Sequence, residues 1–321
     1  MLLPKDKLMR TIQSPEYSRN YGFWNEAEQQ ALLDAKVAIA GVGGDGFQMG
    51  LKLAKMGVQT FDIADPEVFE PENNNRVPGA TTSTYGRSKV EVFTEQVLDI
   101  NPEADIRIYR DGVTEDNVEE FMSRADLVFD ESELTYPHIG TAIAREARKR
   151  NIPDVMVMNV GFAAQVTSFD PRHKFTFERF MGIPQDMPLA DVKDLAVDFS
   201  RCLPYIPKYG DLTTLQAIQE GASLPSIAPG VDVASAIGSS QAFLHIVQKA
   251  KNNRPSPIWA PRILYMDAYS GIANVTKHPQ ASYYRHLVGM LVGNVLHKHP
   301  QASYSAEQQS AREQATDASI N

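Results

Sequence analysis

Apolar and polar positions fall in blocks along the first half of the chain, and the blocks alternate between a strand-like and a helix-like period. The apolar run Val37-Ala38-Ile39-Ala40 leads into Gly41-Val42-Gly43-Gly44-Asp45-Gly46 and then a helical pattern through Met56. That order predicts strand, glycine turn and helix. Gly57 supplies a helix stop, and residues 59–64 read as a second strand ending at Asp65. The same rhythm predicts helices over 87–100, 114–124 and 137–150, and strands over 105–109, 126–130, 155–160 and 164–170. Alternation of this kind specifies an α/β fold: a Rossmann-like, doubly wound, mostly parallel sheet with ligand bound beyond the carboxyl ends of its strands. The short connection before residue 164 makes the last of these strands an antiparallel extension.

After Pro171 the rhythm changes. Pro184, Pro188, Pro204, Pro207, Pro225 and Pro229 break the chain into short pieces, which reads as a long crossover region. A helical pattern returns over 233–249, with Ala236, Ser239 and Ala242 as a small-residue face for close packing. The heptapeptide Lys-His-Pro-Gln-Ala-Ser-Tyr occurs at 277–283 and again at 298–304, and two copies do not make a solenoid. Residues 284–296 between them predict an amphipathic helix too short and polar to span a bilayer. From Ser305 onward the glutamine- and alanine-rich chain reads as a frayed helix or disorder.

Composition narrows the class. With 321 residues, 43% hydrophobic and 22% charged, the chain can bury a sizeable core, which excludes disorder, collagen and coiled coil as overall descriptions. The formal charge of −9 and the lack of a basic run argue against a nucleic-acid partner. A single cysteine, Cys202, excludes an internal disulfide and a four-cysteine zinc site, and it suits a reducing compartment. Lys5, Asp6, Lys7 and Arg10 interrupt the start of the chain, so neither a signal peptide nor a membrane segment is expected, and a cytoplasmic protein is.

The glycine turn carries the first chemistry. Glycines between a strand and a helix let backbone approach a phosphate without a Cβ clash, and the helix N-terminus supplies amide donors. Asp65 stands where an acid accepts from ribose hydroxyls. These features suit NAD and ATP alike. The loop Asn73-Asn74-Asn75-Arg76 and Lys89, within Tyr85-Gly86-Arg87-Ser88-Lys89, separate the two, because triphosphate chemistry needs such polar and cationic groups.

These spaced features resemble the ubiquitin-activating enzyme-like superfamily, the ThiF/MoeB/HesA adenylyltransferases, which activate the C-terminal carboxylate of a small protein or peptide as an acyl adenylate. The resemblance covers residues 16–170 and resumes over 228–247. It implies ATP and Mg2+ as cofactors, a homodimer, and a small ubiquitin-like protein or peptide as substrate. It implies that Gly41, Gly43, Gly44 and Gly46 form the nucleotide loop and that Asp65 holds the ribose. Asn73, Arg76 and Lys89 would grip the phosphates, and Glu133 with Asp130 would hold magnesium. Arg19, in Glu16-Tyr17-Ser18-Arg19, matches an arginine that reaches the partner subunit's nucleotide; the plainer alternative is a surface or dimer-contact arginine. The implied organisation is an N-terminal helical or dimer element over 1–30 and a nucleotide-binding domain over 31–170. A crossover and substrate or dimer region over 171–300 completes the same domain, and 301–321 form a flexible tail.

The sequence also departs from that pattern. Glu133 stands where the family has its metal-binding aspartate, and Leu134 where it has asparagine. Glutamate offers the hard oxygens magnesium needs, but its extra methylene moves them. Asp45 places an acid inside a turn that should face phosphate, and a carboxylate pointing inward opposes nucleotide binding. The paired Cys-x-x-Cys motifs of many bacterial members are missing, so no structural zinc is expected. Cys202 lies in the region where cysteine-using members hold a thioester nucleophile; it is a candidate nucleophile beside Arg201, or an inert buried thiol. Pro229-Gly230 resembles the loop that places the substrate tail, or is an ordinary start to the helix, and His297-Lys298-His299 reads as a solvated helix end. The leading expectation is an ATP-dependent adenylyltransferase. A catalytically impaired scaffold or regulatory member of the same fold comes second, and an NAD-dependent oxidoreductase third, since it leaves Asn73, Arg76 and Lys89 unexplained.

Overall fold

A computed structural model of the chain describes residues 10–133, 135–195, 197, 202, 207, 209, 225–250 and 253–278. Leu134, the helix expected over 284–296, the second heptapeptide copy and the tail from Ser305 lie outside the described residues. Strands β1 (Lys36–Ala40), β2 (Thr60–Ala64), β3 (Asp105–Tyr109), β4 (Leu127–Asp130) and β5 (Asp154–Val160) run parallel. Strands β6 (Ala163–Phe169), β7 (Arg262–Asp267) and β8 (Ile272–Lys277) extend the sheet antiparallel. The eight-stranded order is β3-β2-β1-β4-β5-β6-β7-β8. The α/β class, the parallel sheet and the antiparallel extension are as the sequence predicts.

Strand order reverses between β1 and β4, and a doubly wound sheet opens its binding crevice at that point. Register sets the ends level: Ala40 pairs with Ala64 on one side and Asp130 on the other. Everything that follows these three residues therefore faces the same crevice.

Helices α1 (Glu26–Asp34), α2 (Gly44–Met56), α3 (Lys89–Ile100), α4 (Val118–Phe121), α5 (Pro137–Arg150), α6 (Phe177–Met181), α7 (Leu189–Lys193) and α8 (Ala228–Val247) surround the sheet. Buried Phe47, Leu53, Phe61 and Phe93 pack with Ile39 and Phe129 into the main core, where the Phe47 and Phe93 rings meet edge to face at 5.2 Å. Each such ring contributes about 1.5–3 kcal/mol on burial. Ala38, Val128, Ile143 and Phe121 form a second cluster, and Phe169, Phe177 and Phe180 a third. Among the described residues no helix is long and apolar enough to cross a membrane.

Several expected boundaries move for local reasons. The helix expected over 114–124 contracts to α4, because the Thr114 and Asn117 side chains cap each other's backbone N–H in a tight turn. Helix α3 starts at Lys89 because Val68 and Ser88 form a β-bridge just before it. Helix α8 starts at Ala228, so Pro229 and Gly230 belong to its first turn; proline lacks only an N–H that has no partner there anyway. The small-residue face is also displaced. Ser239 and Ala242 are buried but Ala236 is exposed, and the close approach falls on Gly238, packed on Met49 and Val157.

Candidate active site

The glycine turn is built by contacts that only glycine permits. Gly41 has φ +107° and donates its N–H to the Ala64 carbonyl at 2.8 Å. A Cβ there would enter the Glu131 carbonyl, and one on Gly46 would enter the carbonyl of Gly41 itself. Helix α2 therefore starts directly over the end of β1. Gly43, its N-cap, has none of the described residues within 4 Å of where a Cβ would stand. Asp65 braces the turn: one carboxylate oxygen accepts from the Val42 N–H and the other from the Glu67 N–H, each at 2.9 Å. Burial pushes its carboxyl up, with Lys89 opposing. Each oxygen keeps a further lone pair.

The predicted polar group gathers beside this turn. Asn73, buried in the 3-10 turn Pro71–Asn75, accepts from the Glu70 N–H at 3.0 Å. Arg76 donates to the Glu72 carbonyl at 3.0 Å and the Asn75 side chain at 2.9 Å, and its Cγ lies 3.9 Å from where a Cβ on Gly44 would stand. Lys89, only 5% exposed, gives its ammonium to the Glu67 carboxylate. Arg19 stands apart on the surface, without a hydrogen bond or ion pair among the described residues. Cys202 is fully buried in the third apolar cluster, its Sγ 3.2 Å from the Met181 Sδ.

Across the crevice the chemistry is acidic. Asp130 ends β4 and is 5% exposed. Its Oδ1 accepts from the Ser132 N–H at 3.1 Å and hydroxyl at 2.5 Å, while among the described residues no hydrogen bond reaches Oδ2. Glu131 accepts from the Val157 N–H at 3.3 Å, and burial, reinforced by Asp45 and Asp130, pushes its carboxyl well up. Glu133 is exposed and accepts from the Thr135 hydroxyl at 3.0 Å. A cavity of about 150 Å³ opens among these groups. A second cavity, about 450 Å³, lies at the other ends of β1 and β4, beside Lys36 and Leu127, away from all of these residues.

Asp45 does not hang free in the glycine turn. Asn159, on β5, donates to both of its oxygens at 3.0 and 2.9 Å. Ser226 in turn donates its hydroxyl to Asn159 at 2.8 Å, and Asn75 donates to the Ser226 carbonyl at 2.9 Å. The network ties α2, β5, the segment leading into α8 and the Arg76 loop into one polar strut. Burial pushes the Asp45 carboxyl up to about 7, opposed by Asn159 and Arg76. Sequence reasoning missed Glu67, Asn75, Asn159 and Ser226 as partners. Asn75 lay within the polar loop already singled out, and Asn159 gave a signal as a polar residue directly after the apolar run 155–158.

The ThiF family model matches residues 17–283, well over half of the chain. The chain belongs to the ThiF family. The tRNA threonylcarbamoyladenosine dehydratase of Bacillus subtilis is 30% identical to this ThiF-family chain over 155 residues, 48% of this chain and 60% of that protein. The sulfur carrier protein ThiS adenylyltransferase of Escherichia coli is 30% identical over 145 residues, 44% of this chain and 56% of that one. The chain thus spans less than two thirds of the length of these relatives. Among solved structures, E. coli MccB with ATP superposes with a TM-score of 0.63 at 17% identity, covering 83% of this chain and 72% of that one, a likeness of fold.

Proposed function

We propose that this ThiF-family chain is an ATP-dependent adenylyltransferase acting on the carboxylate of a small protein or peptide. The observation that carries the reading is the gathering of the glycine turn, Asp65, Asn73, Arg76 and Lys89 at the level ends of β1 and β2, one strand from an open cavity beside Asp130. In the reaction a substrate carboxylate oxygen bonds to the α-phosphorus of ATP, the bond from that phosphorus to the bridging oxygen breaks, and pyrophosphate leaves with the electron pair. An acyl adenylate remains, ready for an external nucleophile.

The chain's own residues divide the work. Gly43 gives backbone room for phosphate, and the first turn of α2 offers amide donors. Asp65 offers its remaining lone pairs to ribose hydroxyls. Lys89 and Arg76 stabilise the charge growing on the phosphates; Lys89 exchanges Glu67 for them. Magnesium, which neutralises phosphate charge when bound, needs only one or two carboxylates with phosphate and water oxygens. Exposed Glu133 fits that role at the cavity rim, whereas Asp130 lies deeper with one oxygen already held by Ser132. Among the described residues no three metal-ligating side chains converge, consistent with an ion carried in mainly by the nucleotide. Arg19 of a partner subunit in a homodimer would complete the phosphate site.

ATP/pyrophosphate exchange with a panel of peptides and carrier proteins tests the reading, with Lys89→Ala as control. Exchange that disappears in the control is expected. ATP binding without exchange across the panel would favour the scaffold reading, to which the acids at Asp45 and Glu133 lend support. Because some relatives carry the name tRNA threonylcarbamoyladenosine dehydratase, tRNA belongs in the panel, although a formal charge of −9 opposes RNA binding.

A further inference from the structure

The cavity at the ends of β4 and β5 carries chemistry that phosphate binding does not use. Asp45, Asp130 and Glu131 line it, and among the described residues no lysine or arginine does. Asp130 is more than nine-tenths buried, and among the described residues its Oδ2 has no hydrogen-bond partner; it stands at the cavity wall beside Gly140, where a Cβ would lie 2.8 Å away. Asp45 is also more than nine-tenths buried, and among the described residues its hydrogen bonds come from the neutral Asn159 amide. Buried carboxyl groups are costly to ionise, and among the described residues Arg76 near Asp45 is the cation that eases this, so the wall favours an occupant that brings further positive charge.

The form of the lining decides what kind of cation. No three of these groups converge as they would around a metal ion among the described residues. Met156, Met158, Met181 and Phe177 supply part of the apolar wall. Thioethers adapt to a methylene stem, and an aromatic ring tolerates a cation over its face. A volume of about 150 Å³ equals that of a cavity able to hold benzene, which is room for one side chain.

We propose that this cavity receives the side chain of the residue whose carboxylate is activated, and that it selects a cationic one, an alkyl stem ending in an ammonium or guanidinium. The proposal rests on the adenylyltransferase reading and narrows it: a glycine at the end of the substrate leaves the cavity empty. Asp45, Asp130 and Glu131 are then specificity-determining residues.

The test compares pyrophosphate exchange on peptides identical except for a C-terminal lysine, norleucine, glycine or glutamate. In parallel, calorimetry measures binding of Nα-acetyl-lysine and Nα-acetyl-norleucine, with and without ATP. Lysine is expected to exceed norleucine by about tenfold in kcat/KM, the amount one charge-assisted hydrogen bond supplies, mostly through KM. That ratio should fall several-fold in both Asp45→Asn and Glu131→Gln, each checked for native near-ultraviolet dichroism. Norleucine or glycine peptides that match lysine overturn the proposal and leave adenylylation standing. If no peptide exchanges, adenylylation is the reading in trouble, and calorimetry then decides the cavity alone. Tighter binding of acetyl-lysine supports it; equal or absent binding of both compounds overturns it.

Discussion

Asn159 holds both carboxylate oxygens of Asp45 with a single amide nitrogen, joining β5 to the first turn of α2. An acid that would face phosphate is thereby drawn sideways into a structural contact. A hydrogen bond of this kind contributes about 0.5–1.5 kcal/mol when the acid is neutral and about 1.5–3 kcal/mol once it ionises.

The Asp45 contact has a pH signature. Burial holds the folded carboxyl at about 7, against an ordinary value of 3.8. The folded chain therefore keeps a proton that the unfolded chain has released, and the associated stability is complete below the ordinary value and lost as pH rises to about 7. The slope is about 1.4 kcal/mol per pH unit. Thermal unfolding should show a fall in Tm between about pH 5 and 7 that is clearly smaller in Asp45→Asn; equal falls in the two proteins would place the titration elsewhere.

Under the proposed activity, Glu67 and the nucleotide compete for Lys89. Lys89 is buried against Glu67, so on that reading ATP has to take the ammonium from that carboxylate. Glu67→Gln should tighten ATP binding several-fold by calorimetry, as charge-assisted pairing to the lysine is lost. Lys89→Met should lower exchange by about a hundredfold, the scale of losing one group that stabilises transition-state charge. An unchanged ATP affinity in Glu67→Gln would mean that Lys89 stays with its carboxylate when nucleotide binds.

Two glycines in the same turn should behave differently. Gly46→Ala drives a methyl into the Gly41 carbonyl and should destabilise the protein by about 1–3 kcal/mol or more, visible in denaturant melts. Gly43→Ala meets none of the described residues within 4 Å, and Gly43 has φ −71°, so the fold should survive intact. Any loss of ATP affinity in Gly43→Ala then reports the ligand itself. Full ATP affinity there would remove the glycine turn from the nucleotide site.

Much of this was legible because it is local. Strand β3 and helix α5 fall at their predicted bounds, since apolar runs and a proline start carry their own signal. Strands β7 and β8 were missed: β8 is a largely exposed edge without a buried face to create a period, and β7 is fixed by pairing with β6 about a hundred residues away. At the site, glycines and cations could be read from spacing. The partners that hold them could not. Asp45 meets Asn159 at a separation of 114 residues, and Asn75 meets Ser226 at 151, contacts that no local pattern encodes.

Arg19 is exposed and without a partner among the described residues, so Arg19→Ala should change stability by no more than about 0.5 kcal/mol. If it serves a neighbouring subunit, mixing inactive Arg19→Ala with inactive Lys89→Ala should restore activity, because each mixed dimer contains one intact site. Restoration to roughly a quarter of the native rate is expected for random pairing of two-fold dimers. Lack of recovery, with subunit exchange verified by mass spectrometry, would leave Arg19 as a surface residue.

Gly161, at the β5–β6 corner, and Gly230, in the first turn of α8, touch backbone to backbone, so closely that a Cβ on Gly230 would enter the Gly161 carbonyl. This contact works as a staple. It fixes where the chain returns to the sheet, whatever path it takes after Phe169. Loop closure grows costlier only slowly with length, by about 0.6 kcal/mol per doubling. Insertions and deletions between Phe169 and Gly230 should therefore leave the β1–β4 end of the crevice undisturbed, so that under the proposed activity one end of the fold is held constant for the nucleotide while the other can be lengthened, shortened and reshaped for new acyl partners.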